Sequence, residues 1–457
     1  MKSDHLEARC WQGVFSVALW FLFFVVITSP TTNVSATSGW TLFLTNLTHT
    51  RFPLWVSILT PIPFVLFAAD TLRPKPLLAH FHIEGGRFRV PMALALCLIS
   101  VAVGVAALSN IRPITDQPVA ITCAAQNILQ GTDPYTTYEP QCYRQVNYPP
   151  TGTTPLQSGA FASLSHYPSD AATTRVLLHD EATDQHGGFP AYGYPPEAAL
   201  TVLPVAFSGW RLISLWVALC CSLLLLLIWR RRLPNQLLFL AWQLLGLSLL
   251  LSAFGWNPEY VAYLVLALSF ARIDQVQVSA VTLAIAVCAN PLCWLAAPIY
   301  LAATHHEYAW RQRVNWFVGS CALGIIPWMI WDHHLLSQLW RFVTMPEFPL
   351  GAAIGQFSHL PNHGHAIYTL AFLLVIALAT ATAWFSSKWR WAMVPLVYLA
   401  FIVSWRGPLY YYLPAFWLTP AVLAGIYQLR QARSRQKPAA HSDQTERGHS
   451  QERHRQL

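Results

Sequence analysis

Apolar runs of about 20 residues, recurring along the chain and separated by short polar joints, restrict this sequence more than any other feature. A helix of that length satisfies its own backbone hydrogen bonds while crossing hydrocarbon, whereas a membrane strand is about half as long and alternates apolar with polar residues. The runs here do not alternate. The expected architecture is therefore all-α, the polytopic helical bundle of an integral membrane protein. Composition agrees, with 54% hydrophobic and only 11% charged residues, too few charges for an ordinary soluble domain. The candidate membrane helices are Trp11–Thr28, Pro53–Ala69, Pro91–Leu108, Trp210–Trp229, Gln236–Phe254, Glu259–Ala271, Val278–Ala289, Leu292–Ala303, Trp316–Trp331, Ala366–Phe385, Trp391–Ser404 and Leu409–Leu429, about 12 crossings. Pro196–Ser208 is apolar but short and carries Pro204, and is read as re-entrant or interfacial.

The net charge of +8 and isoelectric point near 9.1 do not call for nucleic acid. The basic residues sit in the joints and the tail: Arg73, Lys75, Arg87 and Arg89; Arg230–Arg232; Trp310–Arg313; Lys388 and Arg390; and the stretch from Arg430. With the helices above, all of these fall on one side, which the positive-inside rule makes the cytoplasm. That assignment requires the apolar stretch 278–303 to split at Asn290-Pro291 into two short passes; as one helix it would invert everything after it. Phe15–Thr28 follows Lys2 and Arg9 as a signal peptide would, but no clear cleavage site precedes Pro30, so a retained helix is expected. Residues 430–457 are polar, without apolar periodicity, and are expected to be a disordered cytoplasmic tail.

On the opposite side lies the longest polar segment, Ser109–Pro196. Asp116 stands just beyond the exit of the Pro91–Leu108 helix, where a carboxylate is close enough to lipid to be perturbed and open enough to reach an acceptor, as a general base requires. It could equally be an exposed acid or a cap for Gln117–Gln130, whose Val119, Cys123, Ala124, Ile128 and Leu129 suit an apolar stripe on the interface. Then come Gly131-Thr132-Asp133-Pro134-Tyr135 and, later, Tyr194-Pro195-Pro196-Glu197. Of nine cysteines, only Cys123 and Cys142 lie in this segment, and on an oxidising side they could pair.

An acid at a helix exit, an alanine-bearing amphipathic stretch (Ala120, Ala124, Ala125), Gly-Thr-Asp-Pro-Tyr, and Tyr-Pro-Pro leading into an apolar run together resemble the first outer loop of glycosyltransferase family 87. The resemblance implies a GT-C fold and transfer of a sugar, mannose or arabinose in that family, from a polyprenyl-phosphate donor to a lipid-linked or glycan acceptor outside the cytoplasmic membrane. By position, Asp116 matches the family's base, and Asp133 with Tyr135 its loop motif. Tyr194 to Glu197 match the next motif, and Asn257 after Gly255 its Gly-Gln-x-Asn-like turn. The implied organisation is an extra helix pair in 1–90, a catalytic core in 91–429 and the tail 430–457.

The sequence departs from the family pattern at several points. Tyr-Pro-Pro also occurs at 148–150; the second copy alone enters an apolar run, which makes 145–191 an insertion, either a lid or a loose excursion. Trp256 replaces the glutamine of the turn, and Asn290 stands where relatives often carry a lysine before the proline of a broken helix. A donor phosphate then needs other partners. Arg341, His363, His365 and Arg406 are the candidates, with His333, His334 and His359 nearby in sequence, because guanidinium pairs bidentately with phosphate and imidazole donates a hydrogen bond. His363 and His365 with Asp332 or Glu347 could also hold a divalent cation, although their spacing is no recognised zinc motif. No other cofactor is implied. The rival readings are a transporter or lipid flippase, disfavoured by apolar segments nearly free of charge, and a GT-C-fold scaffold that has lost its site.

Overall fold

The computed structural model describes residues 116–135, 142–143, 148, 192–229, 257–307, 309–332, 335–337, 339, 364–387, 389–402 and part of 414–429. The candidate helices Trp11–Thr28, Pro53–Ala69, Pro91–Leu108 and Gln236–Phe254 lie outside them, as do most of the 145–191 insertion and the tail. Every regular element among the described residues is helical. In chain order these are α1 (Gln117–Leu129), α2 (Pro196–Leu200), a 3-10 turn (Leu203–Val205), α3 (Trp210–Trp229), α4 (Glu259–Ala271), α5 (Val276–Ala289), a 3-10 turn (Pro291–Leu295), α6 (Ala296–Thr304), α7 (Trp310–Trp331), α8 (Gly364–Phe385), α9 (Met393–Leu396) and a 3-10 stretch (Val397–Ile402).

Two helices are long and apolar enough to cross a membrane, Trp310–Trp331 and Ile367–Phe385 within α8. Their large apolar side chains point outward: Leu323, Ile326 and Ile330 on α7, Leu370, Leu374 and Leu378 on α8. α3 carries a comparable exposed stripe, Leu212, Leu215, Leu219, Leu223 and Leu227, at the three- and four-residue spacing of one helix face. α4 is the opposite case. It is buried nearly all round, Tyr260, Tyr263, Leu264, Leu266, Ala267 and Phe270 included, which is the signature of a central helix. Trp417 fills the space beside it, its ring centroid 5.5 Å from that of Tyr260 and 5.8 Å from that of Tyr263.

Hydrogen bonds between distant residues give the helices their directions. At one end, called upper here, Asn290 at the close of α5 bonds Glu259 at the start of α4. At the lower end Ser279, early in α5, bonds Tyr300 of α6. Arg313, in the first turn of α7, bonds both Tyr300 and the Ile273 carbonyl between α4 and α5. α5 therefore climbs from lower to upper end and α6 returns, with the reversal at Asn290-Pro291. The expected split is present, and its cause is local: Pro291 has no N–H to continue the helix, and Asn290 turns to extended backbone at φ −151°, ψ 130°. Its side chain then accepts the Leu292 N–H at 2.7 Å and starts the 3-10 turn.

The lower end also gathers Arg272, bonded to the Leu227 carbonyl at the end of α3, and Arg390, paired with Glu307 at 3.5 Å. Arg211, at the start of α3, is the exception among the described arginines. Two expected helices change extent. α7 begins at Trp310 rather than 316, so the basic joint Trp310–Arg313 is its first turn, with Arg313 only 2% exposed. Within the expected crossing Trp391–Ser404, the described residues, up to Ile402, hold the short α9, containing Pro395, followed by 3-10 turns.

Lipid is as apolar as leucine, so helix association in a membrane rests on close packing and small side chains. α5 supplies Ala280, Ala284, Ala286 and Ala289, all buried. Gly425 abuts the end of α4: a Cβ there would run into the Phe270 carbonyl oxygen and Ile273 Cγ2, whereas one at Gly319 on α7 would meet nothing within 4 Å. Gly425→Ala should lower stability by about 1–3 kcal/mol, as overpacking does. Gly319→Ala should leave it unchanged or slightly raised; thermal melting of the detergent-solubilised protein separates the two.

Candidate functional site

α1 does not present the single apolar stripe expected of an interfacial helix. It is buried nearly all round, its polar residues Gln117, Thr122, Gln126 and Asn127 among them, and only its C-terminal end is open, Leu129 being 51% exposed. Three ties hold it. Gln126 Nε2 donates to the Ala206 carbonyl at 2.7 Å. Cys123 forms a disulfide with Cys142, their Cα atoms 5.7 Å apart. Gln117 Oε1 accepts from Asn257 Nδ2 at 3.2 Å. Asp116, immediately before α1, has helical backbone and makes no side-chain capping bond, so the capping role is not the one it plays. Its side chain is half-buried at the upper end.

The Gly-Thr-Asp-Pro-Tyr motif has a local structural reason for each of its first three residues. Gly131 takes φ +73° just past the helix, a conformation glycine adopts without penalty. Its N–H bonds the Ile128 carbonyl at 3.1 Å while the Thr132 N–H bonds that of Asn127 at 2.9 Å, a Schellman closure of α1. Asp133 Oδ1 then accepts the Tyr135 N–H at 2.8 Å. Tyr135 is fully buried, and its hydroxyl donates to the Tyr194 carbonyl at 2.9 Å. The Tyr192 N–H bonds the Pro134 carbonyl at 3.2 Å, and the Tyr135 and Tyr192 rings stand 5.3 Å apart. The structure thus joins Gly-Thr-Asp-Pro-Tyr to the Tyr-Pro-Pro at 194–196. Tyr148, at the other copy, bonds back to the Tyr143 carbonyl at 3.0 Å.

Burial, and then the neighbouring carboxylates, push the Tyr135 and Tyr192 phenols well above their ordinary range. They are hydrogen-bond donors here and not acid–base groups. Glu197, in the first turn of α2, lies against Gly324 of α7: a Cβ on Gly324 would fall 2.6 Å from Glu197 Oε1 and 3.2 Å from Cys288 Sγ. Glycine at 324 makes room for the carboxylate, about 16 Å of helix rise above Arg313. Burial raises the Glu197 carboxyl from the ordinary 4.5 to about 7. Asp332, at the end of α7, is 2% exposed, and its charge, like those of Glu197 and Asp133, bears on Tyr135.

Glu259 is the site residue the sequence reading passes over. It opens α4 at only 4% exposure. Asn290 Nδ2 donates to its Oε1 at 2.8 Å, Asn257 Nδ2 to its Oε2 at 3.2 Å, and the Tyr263 hydroxyl to Oε2 at 3.4 Å. The only signal in the sequence is one acid beginning an otherwise uncharged run, and an acid in a helix's first turn is ordinarily explained by the macrodipole. Asn257 lies at the upper end, bonded to Gln117 and Glu259. Asn290 likewise turns its amide to Glu259.

Arg341, His363 and Arg406 lie outside the described residues, as do His333, His334, Glu347, His359, Gly255 and Trp256. His365 falls in the first turn of α8, at the upper end of that helix. Among the described residues no three histidine, cysteine or carboxylate side chains come together as a metal site. Compared with protein-family models, with curated proteins and with solved structures, the chain matches none.

The elevated Glu197 carboxyl sets a pH dependence. A carboxyl whose folded value is raised stabilises the fold fully below 4.5, and that contribution is lost as pH rises through about 7. The melting temperature should therefore fall across that window, and Glu197→Gln should flatten the fall; an unchanged slope in the variant would remove Glu197 as its source.

Proposed function

We propose that the chain is a multi-pass membrane glycosyltransferase of GT-C type. It moves a sugar, mannose-like, from a polyprenyl-phosphate donor to a lipid-linked or glycan acceptor at the extracytoplasmic face. The observation that carries this reading is the convergence at one end of an apolar helix bundle of Asp116, Gly-Thr-Asp-Pro-Tyr with its fully buried Tyr135, Tyr194 and Asn257, with Glu197 deeper along α7. These residues are spread over more than 140 positions, Asn257 lying 140 from Gln117, and they are the ones the family resemblance names. The disulfide at Cys123 suits an oxidising compartment, and the arginines at the lower end suit a cytoplasmic side. About 12 crossings with both termini cytoplasmic complete this topology.

In this mechanism Asp116 accepts the proton of an acceptor hydroxyl. The oxygen attacks the anomeric carbon with inversion as the bond to the phosphate oxygen breaks, and the polyprenyl phosphate leaves with the electron pair. That leaving group departs as an anion and needs no proton, so one base suffices where glycosidases need two carboxyl groups. Asp133 acts through Tyr135, whose backbone it holds. Arg341, His363, His365 and Arg406 are the proposed donor-phosphate partners, with or without a divalent cation. A transporter, the rival class, has one observation in its favour: Glu197 sits well below the end of α7, against Gly324.

Membranes carrying the full chain should transfer label from radiolabelled polyprenyl-phosphate mannose. Asp116→Asn should reduce that transfer by about 10²-fold or more, within the range that loss of a general base spans, with the Cys123–Cys142 disulfide still formed. Full activity in Asp116→Asn would end the assignment, and lipid or sugar movement across vesicles without transfer would favour the transporter. Loss of transfer with EDTA, restored by a divalent ion, would establish the metal requirement.

A further inference from the structure

Three side-chain amides and one carboxylate form a linear chain of hydrogen bonds across the upper end, joining Asn290 with Glu259, Glu259 with Asn257, and Asn257 with Gln117. The direction of each bond is settled by the backbone. Asn257 Oδ1 accepts the Glu259 N–H at 3.1 Å and Asn290 Oδ1 accepts the Leu292 N–H at 2.7 Å, so both amides must turn their NH₂ groups to Glu259. Both carboxylate oxygens are taken, with the Tyr263 hydroxyl as a third donor. Exposure is 1% at Asn290, 4% at Glu259, 5% at Gln117 and 6% at Asn257. All four side chains are buried. The chain of bonds ends at Gln117, whose neighbour Asp116 is half-buried and within electrostatic reach of Glu259.

We propose that Glu259 is a positioning residue for Asp116, tying the first turn of α1 to α4 and to the Asn290-Pro291 break through Asn257 and Gln117. The proposal rests on Asp116 being the base of the transfer reaction. A carboxylate suits the position because only a group that accepts on both oxygens can receive NH₂ groups from two sides. The Glu259→Gln side chain keeps the size but sets an NH₂ against an NH₂ on one of them. Gln117→Leu cuts the same link at its other end and leaves the bonds among Asn257, Glu259 and Asn290 in place. Because neither residue is open to substrate, the loss should fall on the reaction step and not on binding.

The test measures initial rates of mannose transfer from radiolabelled polyprenyl-phosphate mannose, in membranes carrying the full chain, for wild type, Asp116→Asn, Glu259→Gln and Gln117→Leu. Rates are normalised to protein that retains the Cys123–Cys142 disulfide. Glu259→Gln and Gln117→Leu should each lower kcat about 10- to 100-fold, the scale of a misplaced reacting group, at unchanged donor KM. A wild-type kcat in either variant overturns the proposal, and so does a raised KM that accounts for the loss. No transfer by wild type, or full transfer by Asp116→Asn, overturns the functional reading itself and the proposal with it.

Discussion

A carboxylate at 4% exposure must be met by hydrogen-bond donors, and in a bundle of apolar helices donors are found where helices begin and end. The arrangement around Glu259 follows from that constraint. α4 starts there, α5 ends there, α1 starts there, and each brings an amide to the same point. Were Asn290 inside a continuous helix, its Oδ1 could not accept the Leu292 N–H and its NH₂ would have no fixed direction. The proline that breaks the helix thus also aims the donor.

The lower end obeys the same rule with the opposite charge. Arg313 is buried in the first turn of α7 and reaches the Ile273 carbonyl in the loop between α4 and α5, where a carbonyl is free of helical pairing, and the Tyr300 hydroxyl. Between the two ends the helices are held by alanines, by aromatic contacts such as Phe270 on Tyr300 at 5.3 Å, and by the close approach at Gly425. Polar ties fix the register of the helices and apolar packing fills the interval. That division accounts for outward-facing leucines on α3, α7 and α8 beside a wholly buried α4.

Much of this organisation is legible in the residues. α3 and α4 coincide with the apolar runs 210–229 and 259–271, because Pro258 and the polar joints bound them. The break at Asn290-Pro291 follows from proline stereochemistry and from the sign of the later joints. Other features resisted, each for a physical reason. α1 has an apolar stripe suited to an interface, but its polar residues find partners in Ala206 and in Asn257 just before α4, so it is buried instead. Arg313 reads as a joint residue because burial of a lone arginine depends on a carbonyl 40 positions away. Glu259 looks like a helix-start acid; what makes it central are amides 31 residues ahead and two behind, a coincidence of fold and not of spacing.

Asn290 sets the charge balance of the upper end. A lysine at this position would put an ammonium against Glu259 and neutralise it. The asparagine supplies the same hydrogen bond without the charge. Glu259, Asp116 and Asp332 then share the upper end as acids, an environment that favours hydroxyl groups as hydrogen-bond donors and opposes a phosphate. If the chain transfers sugar, its acceptor hydroxyl belongs beside this acidic cluster.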